Sequence, residues 1–256
     1  MHIIVCIKSV VVDAPKGKIV RAADNCALNP FDRPALAVAM QLKAVYSGRV
    51  TVISMGPPSA EAGLREAMAF GADRAVLLCD PALAGSDTLA TSTALCAGVE
   101  QLAPFDLLLF GARTSDSDTG QVGPQTATLL NLPMVSGATQ IQLDSDVLNV
   151  SRSLDEFMET YALDLPAALT VHPAAAPPAD PALAMIAEAF DERTVETVAI
   201  DQLGLAPEQV GDAGSPTRVL SVQAARKERI CQWIEGSPKE QADLLVQQFL
   251  DKGLMG

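Results

Sequence analysis

The feature that most constrains this chain is an alternation of strand-like and helix-like segments through its first 132 residues. His2–Val12 is rich in Ile and Val and reads as a buried strand. Arg33–Tyr46 follows, with Leu36, Met40 and Ala44 at helical spacing. Val50–Met55 is strand-like, and Ser59–Phe70 carries Leu64, Ala67 and Met68 on one helical face. Arg74–Cys79, Asp87–Leu102 and Phe105–Phe110 repeat the pattern as strand, helix and strand, and Gln121–Leu130 reads as a further helix. Strands that are apolar throughout, separated by helices, predict a parallel sheet covered on both faces. On such sheets ligands bind at the carboxyl ends of the strands, near the point where the strand order reverses.

After the alternation the pattern changes. Met134–Val171 reads as short β segments, with Val147–Ser153 and Glu156–Leu163 as a hairpin or meander bounded by Leu132-Pro133 and Leu165-Pro166. Pro173–Pro181 holds four prolines and four alanines and reads as a stiff, extended linker. A short helix at Ala182–Phe190, a strand at Thr217–Val222 and a helix at Pro238–Lys252 complete the reading. The domain organisation expected is therefore an α/β domain with a meander over 1–172, a linker and docking segment over 173–195, and a C-terminal arm over 196–256. The arm has too few large apolar residues for a core of its own and is expected to pack on something else.

Composition narrows the chemistry. A net charge of −13 without a basic stripe excludes a nucleic-acid backbone as partner. The histidines are His2 and His172, too few for a Ser-His-Asp or Cys-His centre. Five scattered cysteines without C-x-x-C spacing fit reduced thiols and offer no metal framework. No apolar run approaches the roughly 18–20 residues of a membrane span, and no signal peptide is evident, so the expected compartment is the cytoplasm. Hydrophobic residues make up 49% and charged residues 19%, which suggests apolar surface covered by a partner.

Four loops fall at the carboxyl ends of the four strands. The first runs from Lys8-Ser9-Val10 to Asn29-Pro30-Phe31-Asp32, where Asp32 suits a helix N-cap. The second is Ser54-Met55-Gly56-Pro57-Pro58, and the third is Ala84-Gly85-Ser86-Asp87-Thr88-Leu89-Ala90-Thr91-Ser92. The fourth is Gly111-Ala112-Arg113-Thr114-Ser115-Asp116-Ser117-Asp118-Thr119-Gly120-Gln121-Val122-Gly123. Small residues leading into a helix let backbone N–H groups face an anion, although ordinary βα loops share this composition and the spacing is neither G-x-G-x-x-G nor a P-loop. Four such loops on one sheet edge make a nucleotide the natural ligand.

The residues in these loops also carry a resemblance. Val5-Cys6-Ile7-Lys8-Ser9-Val10, Asn29-Pro30-Phe31-Asp32, Met55-Gly56-Pro57-Pro58, Phe70-Gly71-Ala72-Asp73, Asp118-Thr119-Gly120-Gln121-Val122-Gly123-Pro124-Gln125 and Gly214-Ser215-Pro216-Thr217 resemble the β subunit of electron transfer flavoproteins. The resemblance implies a doubly wound, mostly parallel, adenine-nucleotide-binding (HUP-like) fold with an added β-meander and an extended C-terminal arm. It implies an electron carrier without acid–base catalysis, paired with an α subunit that holds FAD and served by acyl-CoA or other flavin dehydrogenases. A second nucleotide would sit on the β sheet edge. It is AMP in the ordinary branch, or a second FAD reduced by NADH in the electron-bifurcating branch, which would make the protein an NADH-oxidising flavoprotein. The binding residues implied are Ser9, Asn29, Pro30, Phe31, Asp32, Met55, Gly56, Asp87, Thr88, Ala90, Thr91, Arg113, Thr114, Ser115, Asp118, Thr119, Gly120, Gln121, Val122 and Gly123. By the same resemblance Leu183 would anchor a partner dehydrogenase, and Phe31 would abut the α-bound flavin. Two departures stand out. The docking segment reads Leu183 to Arg193 without the family's lysine run, and Gly120 replaces the alanine common in bifurcating relatives. A non-redox adenine-nucleotide module of similar architecture is the competing class. It predicts a Gly-Gly-x-Asp-Ser type loop after the first strand, where this chain has Lys8-Ser9-Val10-Val11.

Overall fold

The structure, a computed structural model, describes residues 1–12, 25–144, 147–177, 180–221 and 231–255. They divide into two units, Met1–Val219 and Leu220–Gly256.

In the first unit the expected alternation is present. Strand β1 (His2–Cys6) is followed by two three-residue strands, β2 (Ser9–Val11) and β3 (Cys26–Leu28), and by helix α1 (Arg33–Tyr46). Then come β4 (Arg49–Met55), α2 (Glu61–Ala69), β5 (Arg74–Leu78), α3 (Thr88–Gln101), β6 (Leu107–Gly111) and α4 (Val122–Leu129). The meander follows as β7 (Met134–Asp144), β8 (Val147–Leu154) and β9 (Phe157–Asp164), and β10 (Ala167–Val171) returns to the interior. Helix α5 (Leu183–Asp191) and strand β11 (Glu196–Val198) are the last α-helix and strand among the described residues of this unit.

One nine-stranded sheet results, in the order β11-β5-β4-β1-β6-β10-β7-β8-β9. All its pairings are parallel up to β7, and β8 and β9 add antiparallel strands. The chain steps outward from β1 through β4 to β5, then crosses back to lay β6 on the other side of β1. The strand order thus reverses between β1 and β6. Period-2 side-chain alternation divides the core between the two faces of the sheet. Ile3, Val5, Val50, Val52, Leu107 and Leu109 pack with Leu36 of α1 and Leu64 of α2. Ile4, Cys6, Ile53, Leu108 and Phe110 pack with Leu95 and Val99 of α3 and Ala127 of α4.

Several expectations are corrected. The strand predicted over His2–Val12 breaks at Ile7-Lys8: beyond Cys6 the chain leaves the sheet, and β2 pairs antiparallel with β3 as a separate ribbon. Ser9 anchors that ribbon, its Oγ donating to the Ala60 carbonyl at 2.6 Å and accepting from the Gly63 N–H at 3.1 Å. The proline-rich stretch is not simply extended. Pro173–Ala175 form a 3₁₀ turn capped by the His172 side chain, Ala176 is buried, and residues 178 and 179 lie outside the described set. The unit boundary also falls later than 196. β11 joins the sheet beside β5, Arg74 pairs with Glu196, and Ile200, Leu203 and Val210 are buried in the core. Residues 217–221 form no strand, and Val222 lies outside the described residues.

The second unit contains helix α6 (Pro238–Asp251). Ser237 accepts from the Glu240 N–H, while the Glu240 carboxylate accepts from the Ser237 N–H at 2.8 Å, a reciprocal capping box. Its Leu244, Leu245, Val246, Phe249 and Leu250 are all exposed, as is Trp233 before it. Among the described residues, no helix is long and apolar enough to cross a membrane.

Candidate functional site

A cleft of about 930 Å³ opens where the strand order reverses. Its floor is built from strand ends: Cys6, Ile7 and Lys8 after β1, Met55 and Gly56 at β4, Cys79 and Asp80 after β5, and Phe110 and Gly111 at β6. Its walls come from Ala84–Thr88 and Thr91 at the start of α3 and from the loop between β6 and α4. Thr217 and Val219 close the rim.

Two helix N-termini border this space, and they differ. The Asp87 carboxylate already caps α3, accepting from the Leu89 and Ala90 N–H groups at 3.0 Å. Its other oxygen accepts from the Thr217 N–H at 3.0 Å, tying the rim to the helix start. Burial pushes this carboxyl up, but those backbone donors outweigh it and hold it below the ordinary carboxylate range. Helix α4 has no side-chain cap at Gln121. The unpaired N–H groups of its first turn, beside Gly120 in the left-handed region with φ of 62°, can receive an anion.

Asp32 lies at the reversal point. It occupies the N-cap position of α1, but its side chain does not cap the helix as expected. The carboxylate accepts instead from the Lys8 N–H at 2.7 Å, from Asn29 Nδ2 at 2.9 Å and from the Gly111 N–H. It thereby stitches the end of β1 to the end of β6. The side chain is fully buried, and burial, partly offset by these donors, pushes its pKa up to about 7. Cys6 beside it is likewise pushed up by burial, with Asp32 adding to the effect.

The predicted binding residues separate into two groups. Asp32, Met55, Gly56, Asp87, Thr88, Thr91, Arg113, Thr114, Thr119, Gly120, Gln121, Val122 and Gly123 line the cleft together. Ser9, Asn29, Pro30, Phe31, Ala90, Ser115 and Asp118 are not among its lining residues. Ser9 is spent on α2, and Ala90 is buried within α3. Asn29 is a brace: its Nδ2 donates to Asp32 and to the Arg113 carbonyl, and its Oδ1 accepts from the Ser115 N–H. Phe31 lies under the Arg113 guanidinium, 4.5 Å from ring centroid to Cζ, and Pro30 is exposed. Arg113 pairs in turn with Asp118 at 3.4 Å.

Hydroxyls of the third loop are largely committed to the protein. Ser86 Oγ donates to the Leu83 carbonyl and accepts from the Gly211 N–H. Ser92 and Thr93 donate back to the Thr88 and Leu89 carbonyls, and Thr88 Oγ1 reaches Gln121 across the cleft at 3.2 Å. Sequence reasoning missed Cys6, Lys8, Asp80, Phe110, Thr217 and Val219 as lining residues. The strand-end position of the first four is a readable signal, and Thr217 ends the Gly214-Ser215-Pro216-Thr217 motif, but nothing local marks Val219. Leu183 lies elsewhere, at the start of α5, and is 85% exposed. Among the described residues, no cluster of His, Cys, Asp and Glu could hold a metal ion.

Comparison with known proteins agrees with this architecture. Residues 16–203 match the family described as the electron transfer flavoprotein domain. The chain is 35% identical to the electron transfer flavoprotein subunit beta of Thermoanaerobacterium thermosaccharolyticum, over 97% of this chain and 98% of that one. It is 36% identical to the caffeyl-CoA reductase–Etf complex subunit CarD of Acetobacterium woodii, over 86% of each chain. It is 32% identical to the acryloyl-CoA reductase electron transfer subunit gamma of Anaerotignum propionicum, over 98% of this chain and 99% of that one. With a match that spans most of its length, the chain belongs to the electron transfer flavoprotein domain family.

Proposed function

We propose that this chain is the β subunit of a heterodimeric electron transfer flavoprotein, passing electrons between flavin dehydrogenases and a downstream acceptor, with a second FAD held in its own cleft and reduced by NADH. The observation that carries the β-site reading is the cleft at the β1/β6 reversal. Its volume of about 930 Å³ lies at the upper end of the roughly 300–1,000 Å³ usual for cofactor sites. That is room for a dinucleotide. When bound, a flavin supplies the hydride and electron chemistry; the protein contributes position, electrostatics and water exclusion. The Val122 and Gly123 N–H groups at the uncapped start of α4 would take the diphosphate. Asp32 and Asn29 would hold the two loops around it, and Arg113 would cover Phe31 at the face turned to an α-bound flavin.

A second reading, the ordinary branch with AMP, draws on a different observation. With Ser86, Ser92 and Thr93 hydroxyls committed internally, few remain to address a flavin ring. Flavin counting separates the two. The chain co-purified with its α subunit should carry two FADs per heterodimer and bleach on adding NADH. One FAD with one AMP would sink the second-flavin reading.

We also infer that the apolar face of α6 is covered by the α subunit, and that Leu183 on α5 docks a dehydrogenase, an acyl-CoA dehydrogenase among the candidates. Leu244, Phe249 and Leu250 on one and Leu183 on the other are large apolar groups left in water. Hydrogen exchange tests both on one sample. Residues 238–251 should be protected in the heterodimer alone, and residues 183–190 only after a dehydrogenase is added. Fast exchange of both segments in every complex would refute the assignment.

A further inference from the structure

The cations of the cleft are already engaged within the protein. Lys8 and Arg113 are the positive side chains among its lining residues, and Asp32, Asp80 and Asp87 line it too. Lys8 Nζ sits 2.7 Å from Asp116 Oδ2, reaching from the end of β1 to the loop between β6 and α4. Arg113 Nε lies 3.4 Å from Asp118 Oδ1 in the same loop. That loop is closed on itself, with the Asp118 N–H donating to the Thr114 carbonyl at 3.0 Å and Thr114 Oγ1 bonded to Ser117 Oγ at 2.9 Å. Asp118 has φ of 54°, a left-handed conformation uncommon outside glycine. A phosphate entering such a cleft meets a chain of net charge −13 and three neighbouring carboxyl groups. Beyond the uncapped N–H groups at the start of α4, it gains a full positive charge only if a cation turns to it.

We propose that Asp116 is an internal stand-in for the ligand's phosphate: nucleotide entry exchanges the Asp116 carboxylate for a phosphate oxygen on Lys8, and Asp118 yields Arg113 in the same movement. This rests on the nucleotide reading of the cleft and adds Lys8 to its binding residues. The exchange is physically reasonable because both ion pairs are partly exposed, with side-chain exposures of 32% and 31% in one and 52% and 62% in the other. Pairs so hydrated are weakly held, whereas a charge-assisted bond to phosphate is among the stronger contacts a lysine makes. Because both carboxylates ride on one loop, the exchange also releases that loop from β1. Neither Lys8 nor Arg113, the lysine and arginine among the described lining residues, is left unpaired within the protein.

A double-mutant cycle tests this in the nucleotide-free heterodimer, with AMP and FAD as separate calorimetric titrants. Asp116→Asn should tighten binding about two- to fivefold by removing the competitor, the scale of a partly exposed ion pair. Lys8→Met should weaken binding, Lys8→Arg should restore it, and in the Lys8→Met background Asp116→Asn should change nothing. Asp116→Asn weakening binding as much as Lys8→Met would overturn the proposal, since the pair would then only prop the loop. Equal effects of Asp116→Asn in both backgrounds would overturn it as well. If the unaltered heterodimer binds neither AMP nor FAD, the nucleotide reading has failed, which is a different result from an uncoupled cycle.

Discussion

Gly111→Ala is expected to destabilise the chain by about 3 kcal/mol, the range of an overpacked, unyielding site, and to empty the cleft of nucleotide. Gly111 ends β6 at the reversal point, where Asp32 and the backbone before α1 come in against it. A methyl group there would meet the Asp32 carboxylate, the Phe31 carbonyl oxygen at 2.5 Å and the Phe31 carbonyl carbon at 2.8 Å. Two of these are backbone, and the third is held by three donors, so none can swing aside. In a unit of this size 1 kcal/mol moves the melting temperature by roughly 2–4 °C, so the expected fall is roughly 6–12 °C. A variant that melts within a degree or two of the parent and keeps its nucleotide would show that β6 and α1 can part at little cost.

The second large effect is on pH dependence. Burial raises the Asp32 carboxyl from 3.8 to about 7. Between those values the unfolded chain has lost the Asp32 proton while the folded chain keeps it, so the folded state binds more protons. Its stability therefore falls as pH rises from about 4 to about 7 and levels off above that. Over the whole window the loss is on the order of 4 kcal/mol. Asp32→Asn has no proton to exchange and should lose this component. Denaturant unfolding at pH 5 and pH 8 measures it: the parent should lose stability relative to the variant on going to the higher pH. An unchanged gap between the two proteins across that range would mean that Asp32 is ionised throughout, held so by its donors.

The parallel sheet was legible because its strands are apolar on both faces and β4, β5 and β6 run into Gly56, Asp80 and Gly111, signals that require no knowledge of distant contacts; β1 lacks such a stop, and its predicted end is misplaced. The elements that escaped are the short ones. β2, β3 and β11 have three residues each, too few for a period-2 pattern to show, and β11 pairs with β5, a partner some 120 positions away in sequence, with Arg74 reaching Glu196 across 122 positions. Within the site, residue type located the loops but not the role of each side chain. Asp32 reads as a helix cap, and only the approach of β6 shows that its carboxylate spans two strands instead. Ser9 looks like a loop hydroxyl, yet Gly63 leaves the space that lets it bond to α2. Thr217 and Val219 reach the cleft because Asp87 and Ser215 bring distant segments together, at 3.0 Å to the Thr217 N–H and 2.8 Å from the Asp87 N–H.

The two margins of the nine-stranded sheet are unequal, and this bears on how the chain survives in a crowded cell. One margin is β11, three residues long and closed by the Arg74–Glu196 pair. The other is β9, eight residues long, with Phe157 72% and Met158 64% exposed and one row of backbone groups unpaired by any strand among the described residues. A long apolar margin is a template on which another copy can lay itself down, and aggregation begins in that way. Until something shields β9, that margin stays open to such pairing.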